Sequence, residues 1–158
     1  KVTAQEIQAR LQHPVEIIYN ENLREIGLGE LEGQSIDEMH EKYPQQLTDL
    51  RNHLDRYDPS AFKGEPIQET LSRIETVVMD AVMQHEGPLL FVGHGASFTA
   101  AIQWLAGKPL AELREQGGLV NNSVSLLETN EQKVLPFELK VWNEASFLSN
   151  QAGLDALL

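Results

Sequence analysis

The sequence predicts an α/β fold: a mostly parallel sheet with helices on both faces and an antiparallel hairpin at its C-terminal edge. Three observations carry that prediction. "PLLFV" at 88–92 is an unbroken apolar run that leads through glycine into an apolar helical pattern, as expected of a central parallel strand covered on both faces. Helical and strand-like stretches alternate along the chain up to about residue 120, the pattern of α/β architecture. In "VLPFELKVW", Leu135, Phe137, Leu139 and Val141 alternate with Pro136, Glu138 and Lys140, which describes a half-exposed edge strand where a proline is tolerated. With 158 residues and no linker, repeat or low-complexity tract, the chain reads as one domain over 1–158.

Taken in order, residues 3–12 read as the end of an amphipathic helix with Ala4, Ile7 and Leu11 on one face. It stops near "HP", because the residue before Pro14 is pushed out of helical space. No capping segment precedes the pattern, so the chain reads as one joined partway through a longer one. "VEIIY" at 15–19 is a short strand. The next stretch, "NENLREIGLGELEGQ", holds three glycines and no sustained period, so it is an irregular loop of the kind that tends to carry function. Ser35, with Glu38 three residues on, has the capping-box spacing and starts a short helix. Leu47, Leu50 and Leu54 share a face of a second helix over 46–55, and "YDPSAFKGEP" is a turn-rich connection. Ile67, Leu71, Ile74, Val78 and Val82 then mark a long amphipathic helix that ends before Gly87. After the strand at 88–92 come a helix over 96–106 closed by Gly107, a short helix over 109–116, and a strand from about 120. That strand pairs with the edge strand through "TNEQK".

Composition narrows the chemistry. The chain has no cysteine, so it has no disulfide framework, thiolate nucleophile or Cys-based zinc site. A nucleophile must be Ser, Thr, His, Lys or a carboxylate. The net charge of -12 argues against a nucleic-acid groove or an anionic membrane surface, since both depend on clustered Lys and Arg. A small anionic substrate remains compatible where positive groups gather locally. No apolar run approaches the roughly 18 residues of a spanning helix, and a cytoplasmic location is the default expectation. Oligomeric state stays open, a homodimer included.

In open parallel sheets, ligands sit beyond the carboxyl ends of the strands, where loops meet helix N-termini. His94 in "FVGHGASF" falls at such a place. Gly93 and Gly95 leave the backbone bare on either side, so an anion could meet the Gly95 and Ala96 amides and the imidazole together. The competing reading is a turn histidine with its ring in solvent. "LREIGLGELEG" offers Glu25, Glu30 and Glu32, and a carboxylic acid beside a phosphate site can serve as general acid. Taken alone, that acidic loop reads as solvated surface, and Arg24 suits either a phosphate or the surface. Asp37, His40 and Glu41 lack the second histidine of a zinc-protease helix and read as an exposed face. Ser97 lies outside Gly-x-Ser-x-Gly, because Thr99 takes the last position, and reads as a helix-start hydroxyl. His13, His40, His53 and His85 are expected at the surface, and Phe98 and Trp104 in the core.

In order along the chain, "LREIGLGELEG", "GEPIQETLSRI", "LLFVGHGASFTAAIQWLAG", "NNSVSLLE" and "VWNEASFL" resemble the successive motifs of the histidine phosphatase superfamily, which includes phosphoglycerate mutases and broad small-molecule phosphatases. The resemblance implies a phosphoglycerate mutase-like fold. In that family an N-terminal strand ends in Arg-His-Gly, and its histidine takes up the phosphoryl group. A second His-Gly at a strand end stabilises that group, and a glutamate protonates the leaving oxygen. By position, His94 resembles the second histidine, with the phosphate held by His94, Gly95 and Ala96, and Glu25 resembles the proton donor.

No Arg-His-Gly occurs in these residues. The resemblance therefore places the nucleophilic histidine, the first strand, the first helix and the second strand before Lys1, and implies that the chain as given is inactive without them. Leu31, Pro66 and Phe147 stand where relatives often carry Trp, Ser and His, which bears on substrate choice. Only Gln34 to Lys63 intervene between the "EG" loop and the "GE" helix start, shorter than in mutase relatives, which favours a phosphatase. The implied function is a phosphomonoesterase acting on a small phosphorylated substrate through phosphohistidine, with no cofactor and no metal required. Its alternatives are mutase-type phosphoryl transfer, a non-catalytic phospho-ligand binding domain on the same fold, and a structural α/β domain with no site.

Overall fold

A computed structural model of the chain describes residues 1–148. Five α-helices and one antiparallel strand pair form among them: α1 (Val2–Gln8), α2 (Ile36–Lys42), α3 (Pro44–Asn52), α4 (Ile67–Gln84), α5 (Gly95–Leu105), β1 (Val124–Glu128) and β2 (Glu138–Glu144). The α/β class stands, and each helix grows from local signals that the sequence carries.

At α2 the capping box closes in both directions. Ser35 Oγ accepts from the Glu38 amide at 3.2 Å, and the Glu38 carboxylate accepts from the Ser35 amide at 3.3 Å. Helix α3 begins two residues earlier than expected because Pro44 can open it, its missing N–H being one that a first turn leaves unpaired anyway. The Ile67, Leu71, Ile74, Val78 and Val82 stripe of α4 is buried, as its 3.6-residue period requires. Helix α5 ends with Gly107 at φ +85. The Lys108 amide reaches back to the Gln103 carbonyl at 3.1 Å, a left-handed stop that an L side chain would resist.

Three expectations change. The helix over 109–116 reduces to a single 3-10 turn at Leu110–Glu112. The hairpin forms, with Leu127 opposite Leu139 and Glu128 opposite Glu138, but β2 starts after Pro136 rather than through it. Pro136 has no amide to give a ladder and the Phe137 amide is taken by the Leu105 carbonyl, so the strand begins at Glu138. Residues 15–19 and 88–92 do not join a sheet among the described residues. A parallel strand exists only through its neighbours, and neither segment finds one here. Their apolar side chains stay largely in solvent, with Ile18 67% and Leu90 64% exposed.

The core lies between α4, α5, the two short helices and the glycine-bearing loop. Phe62 is fully buried and meets Tyr43 edge-on, ring centroids 5.2 Å apart. Small residues Ala96, Ala100 and Ala101 line the buried side of α5. The hairpin is tied to the end of that helix where the Phe137 amide donates to the Leu105 carbonyl at 2.8 Å.

Candidate active site

The loop over residues 20–34 is held from below by its own aliphatic side chains. Ile26, Leu28 and Leu31 are buried, while Glu25 and Gly27 between and before them stay accessible in part. Two 3-10 turns, Glu21–Leu23 and Gly29–Leu31, shape it. Gly29, at φ +55, passes against the Phe62 and Lys63 carbonyls so closely that a Cβ would collide with them.

This frame delivers Glu25 to the start of α5. Its Oε2 accepts from the Ala96 amide at 2.9 Å, and its Oε1 accepts from the Ser97 amide at 2.6 Å and the Ile26 amide at 2.8 Å. The first amides of a helix have no intrahelical acceptor and carry its positive end, so a carboxylate there is favoured twice. An N-cap side chain usually fills this role, but His94 makes no such bond. Its backbone is extended, its carbonyl accepts from Phe98 at 3.0 Å, and its ring lies at the surface beside the helix end. Among the described residues the Gly95 amide donates to no acceptor, whereas the Ala96 amide is given to Glu25.

The other acidic candidates go elsewhere. Glu30 pairs with Lys63 in solvent, and Glu32 accepts from the Leu28 amide at 3.3 Å. Arg24 is half-exposed and donates to Glu65 at 3.2 Å. Ser97 is buried in the first turn of α5. Gly93 has a steric reason for being glycine: the Phe98 ring lies where its Cβ would be. Phe98 packs partly against the core, as expected, but Trp104 is 37% exposed and points its indole N–H to Glu75 at 2.6 Å. An indole N–H needs an acceptor, and α4 supplies one at the rim. His13, His40, His53 and His85 are all exposed, and so are Asp37 and Glu41 on α2.

Sequence reasoning passed over Glu65 and Arg73. The two side chains are nearly buried, at 8% and 9% exposure, and form a two-pronged pair, Arg73 Nε to Glu65 Oε1 at 2.6 Å and Nη2 to Oε2 at 2.9 Å. Glu65 also accepts from the Gly27 amide at 3.0 Å, and its own amide donates to the Gly27 carbonyl at 2.7 Å. Burial pushes the Glu65 carboxyl up, but the Arg73 hydrogen bond, the Gly27 amide and the Arg73 charge together outweigh it and hold it below the usual carboxylate range. Burial, and then the Glu65 charge, raises the Tyr57 phenol well above its ordinary value. The only signal in the sequence was an arginine two turns into α4, beside its apolar stripe.

A cleft of about 480 Å³ opens beside Glu25, walled by Arg24, Leu28, Leu31, Glu32, Ile36 and Met39 among others. Glu25 thus both caps the start of α5 and lines a cleft of mixed polarity, whose walls do not include His94. The family model of the histidine phosphatase superfamily, branch 1, matches residues 1–145.

The chain belongs to the histidine phosphatase superfamily. Among solved structures of similar fold, YhfR of Bacillus stearothermophilus superposes with a TM-score of 0.79 at 27% identity, covering 92% of this chain and 69% of that one. A mycobacterial glucosyl-3-phosphoglycerate phosphatase superposes with a TM-score of 0.78 at 22% identity, covering 92% of this chain and 73% of that one, which is a likeness of fold. In sequence, the chain is 27% identical over 113 residues to a 6-phosphofructo-2-kinase/fructose-2,6-bisphosphatase of Caenorhabditis elegans. That match takes in 72% of this chain and spans 24% of the relative's length. The superfamily's phosphoglycerate mutase-like architecture accounts for the helices and the C-terminal hairpin. Among the described residues no helix is long and apolar enough to cross a membrane.

Proposed function

We propose that this superfamily member is a phosphomonoesterase for a small phosphorylated substrate, working through a phosphohistidine. The observation that carries the reading is the Glu25 carboxylate lodged on the Ala96 and Ser97 amides, beside His94. It places an acid at a helix end suited to anions.

In this mechanism a histidine upstream of Lys1 attacks phosphorus. Its bond to phosphorus forms as the bond to the substrate alcohol breaks. His94 and the Gly95 amide stabilise the charge on the transferring group. The Ala96 amide joins them as Glu25 turns away from it, takes up the proton that the substrate's phosphate monoanion carries in, and passes that proton to the leaving oxygen. Glu25 then takes a proton from the water that cleaves the phosphorus–nitrogen bond, and inorganic phosphate departs. The same upstream segment carries the strand that pairs with 88–92 and covers its apolar side chains. The cleft beside Glu25 receives the alcohol portion of the substrate, and the short 34–63 connection favours a phosphatase over a mutase.

Turnover of a nitrophenyl phosphate by the full-length protein tests the reading. His94→Ala is expected to lower kcat about 100- to 1,000-fold, the usual loss when a group that stabilises transition-state charge is removed. Undiminished turnover in that variant would remove His94 from the site. Phosphate or vanadate binding without any turnover in the full-length protein would favour the ligand-binding alternative.

A further inference from the structure

Glu25 can act only if its backbone is fixed, because its side chain reaches α5 from an irregular loop. Around Glu25, between its two 3-10 turns, the loop has no ladder or helix to hold it, and the Asn22, Arg24 and Glu25 carbonyls need donors from elsewhere. They find them in one side chain. Arg73 Nη1 donates to the Asn22 carbonyl at 2.6 Å and the Arg24 carbonyl at 2.9 Å, and Nη2 donates to the Glu25 carbonyl at 3.1 Å. Its remaining two N–H groups go to Glu65, which in turn accepts from the Gly27 amide. All five guanidinium donors are used: they hold the loop at and before Glu25, and Glu65 holds it beyond, at Gly27.

We propose that Arg73, oriented by Glu65, is the positioning residue for Glu25: its guanidinium holds the 22–27 backbone so that the Glu25 carboxylate sits at the start of α5. The inference rests on the proton-donor reading of Glu25 and adds to it a cause for the donor's position. Lysine cannot substitute. An ammonium keeps the charge beside Glu65 but offers a single point, where the loop needs a planar fork that meets three carbonyls and a carboxylate together. A plain stabilising role for Arg73 would scale turnover of every substrate alike, through the fraction folded. A positioning role acts where the proton matters, on substrates whose leaving alcohol is a poor leaving group.

The experiment compares Arg73→Lys with the parent full-length protein on an alkyl phosphate and a nitrophenyl phosphate. Arg73→Gln serves as a second variant. The expected result is a loss of about 100-fold in kcat on the alkyl ester, the scale of a misplacement of about 1 Å, and less than about 5-fold on the aryl ester. Glu25→Gln should show the same selectivity, and the double variant should lose little more than either alone. Equal losses on both substrates, or additive losses in the double variant, would overturn the proposal. Amide hydrogen exchange at Ala96 and Ser97 decides it independently of turnover. Both variants are expected to lose protection at these amides as Glu25→Ala does, and retained protection would overturn it. If the parent protein turns over neither ester, the proton-donor reading fails while the exchange measurement still judges the positioning of Glu25.

Discussion

Glu25 and Gly93 show two ways in which a single residue sets up the helix start. Glu25 supplies, from a loop about seventy residues away in sequence, the acceptor that an N-cap side chain usually provides. Gly93 clears the space in which the Phe98 ring lies. Gly93→Ala should therefore destabilise the protein by about 1–3 kcal/mol, the usual cost of overpacking a filled site. A urea unfolding curve checks it, and an unchanged midpoint would mean that the ring moves aside freely. At this scale the sequence was informative in part. Flanking glycines single out His94 as a candidate, and the order of motifs singles out Glu25. Spacing alone did not separate Glu25 from Glu30 and Glu32. What separates them is which carboxylate reaches α5, and that is settled by contacts across more than seventy positions of chain.

At the scale of elements, local signals sufficed where the structure itself is local. The Ser35 capping box, the α4 stripe and the Gly107 stop all formed as expected. Ser35→Ala should lower stability by about 1 kcal/mol, measured by thermal or urea unfolding, because it leaves the Glu38 amide without its side-chain acceptor. An effect under a few tenths of a kcal/mol would show that solvent satisfies that amide equally well. Strands were less legible. The hairpin needed only a nearby partner and formed, whereas 15–19 and 88–92 depend on neighbours distant in sequence and stand unpaired among the described residues. The Arg73 fork was invisible for the same reason, since its acceptors are carbonyls some fifty residues away, and carbonyls have no sequence signature.

For the whole molecule, the buried Glu65–Arg73 pair joins the glycine-bearing loop to α4 and makes stability depend on pH. The folded-state carboxyl of Glu65 titrates below its ordinary value of 4.5. Its contribution is thus complete above that value and is lost as pH falls through the lower, folded one. Thermal unfolding at pH 6 should show the parent well above Glu65→Gln, with the gap narrowing by pH 3. A gap of the same size at both would mean that the pair does not titrate with folding. Membership of the superfamily, the α5 helix start and a glutamate held against it together support the proposal that Glu25 gives a proton to the departing alcohol. The most direct measurement is the steady-state turnover of an alkyl and a nitrophenyl phosphate by full-length Glu25→Gln. A loss of about 100-fold or more is expected on the alkyl ester, with the aryl ester largely spared, in line with general-acid contributions of roughly 10²–10⁴. Equal losses on the two esters would contradict it.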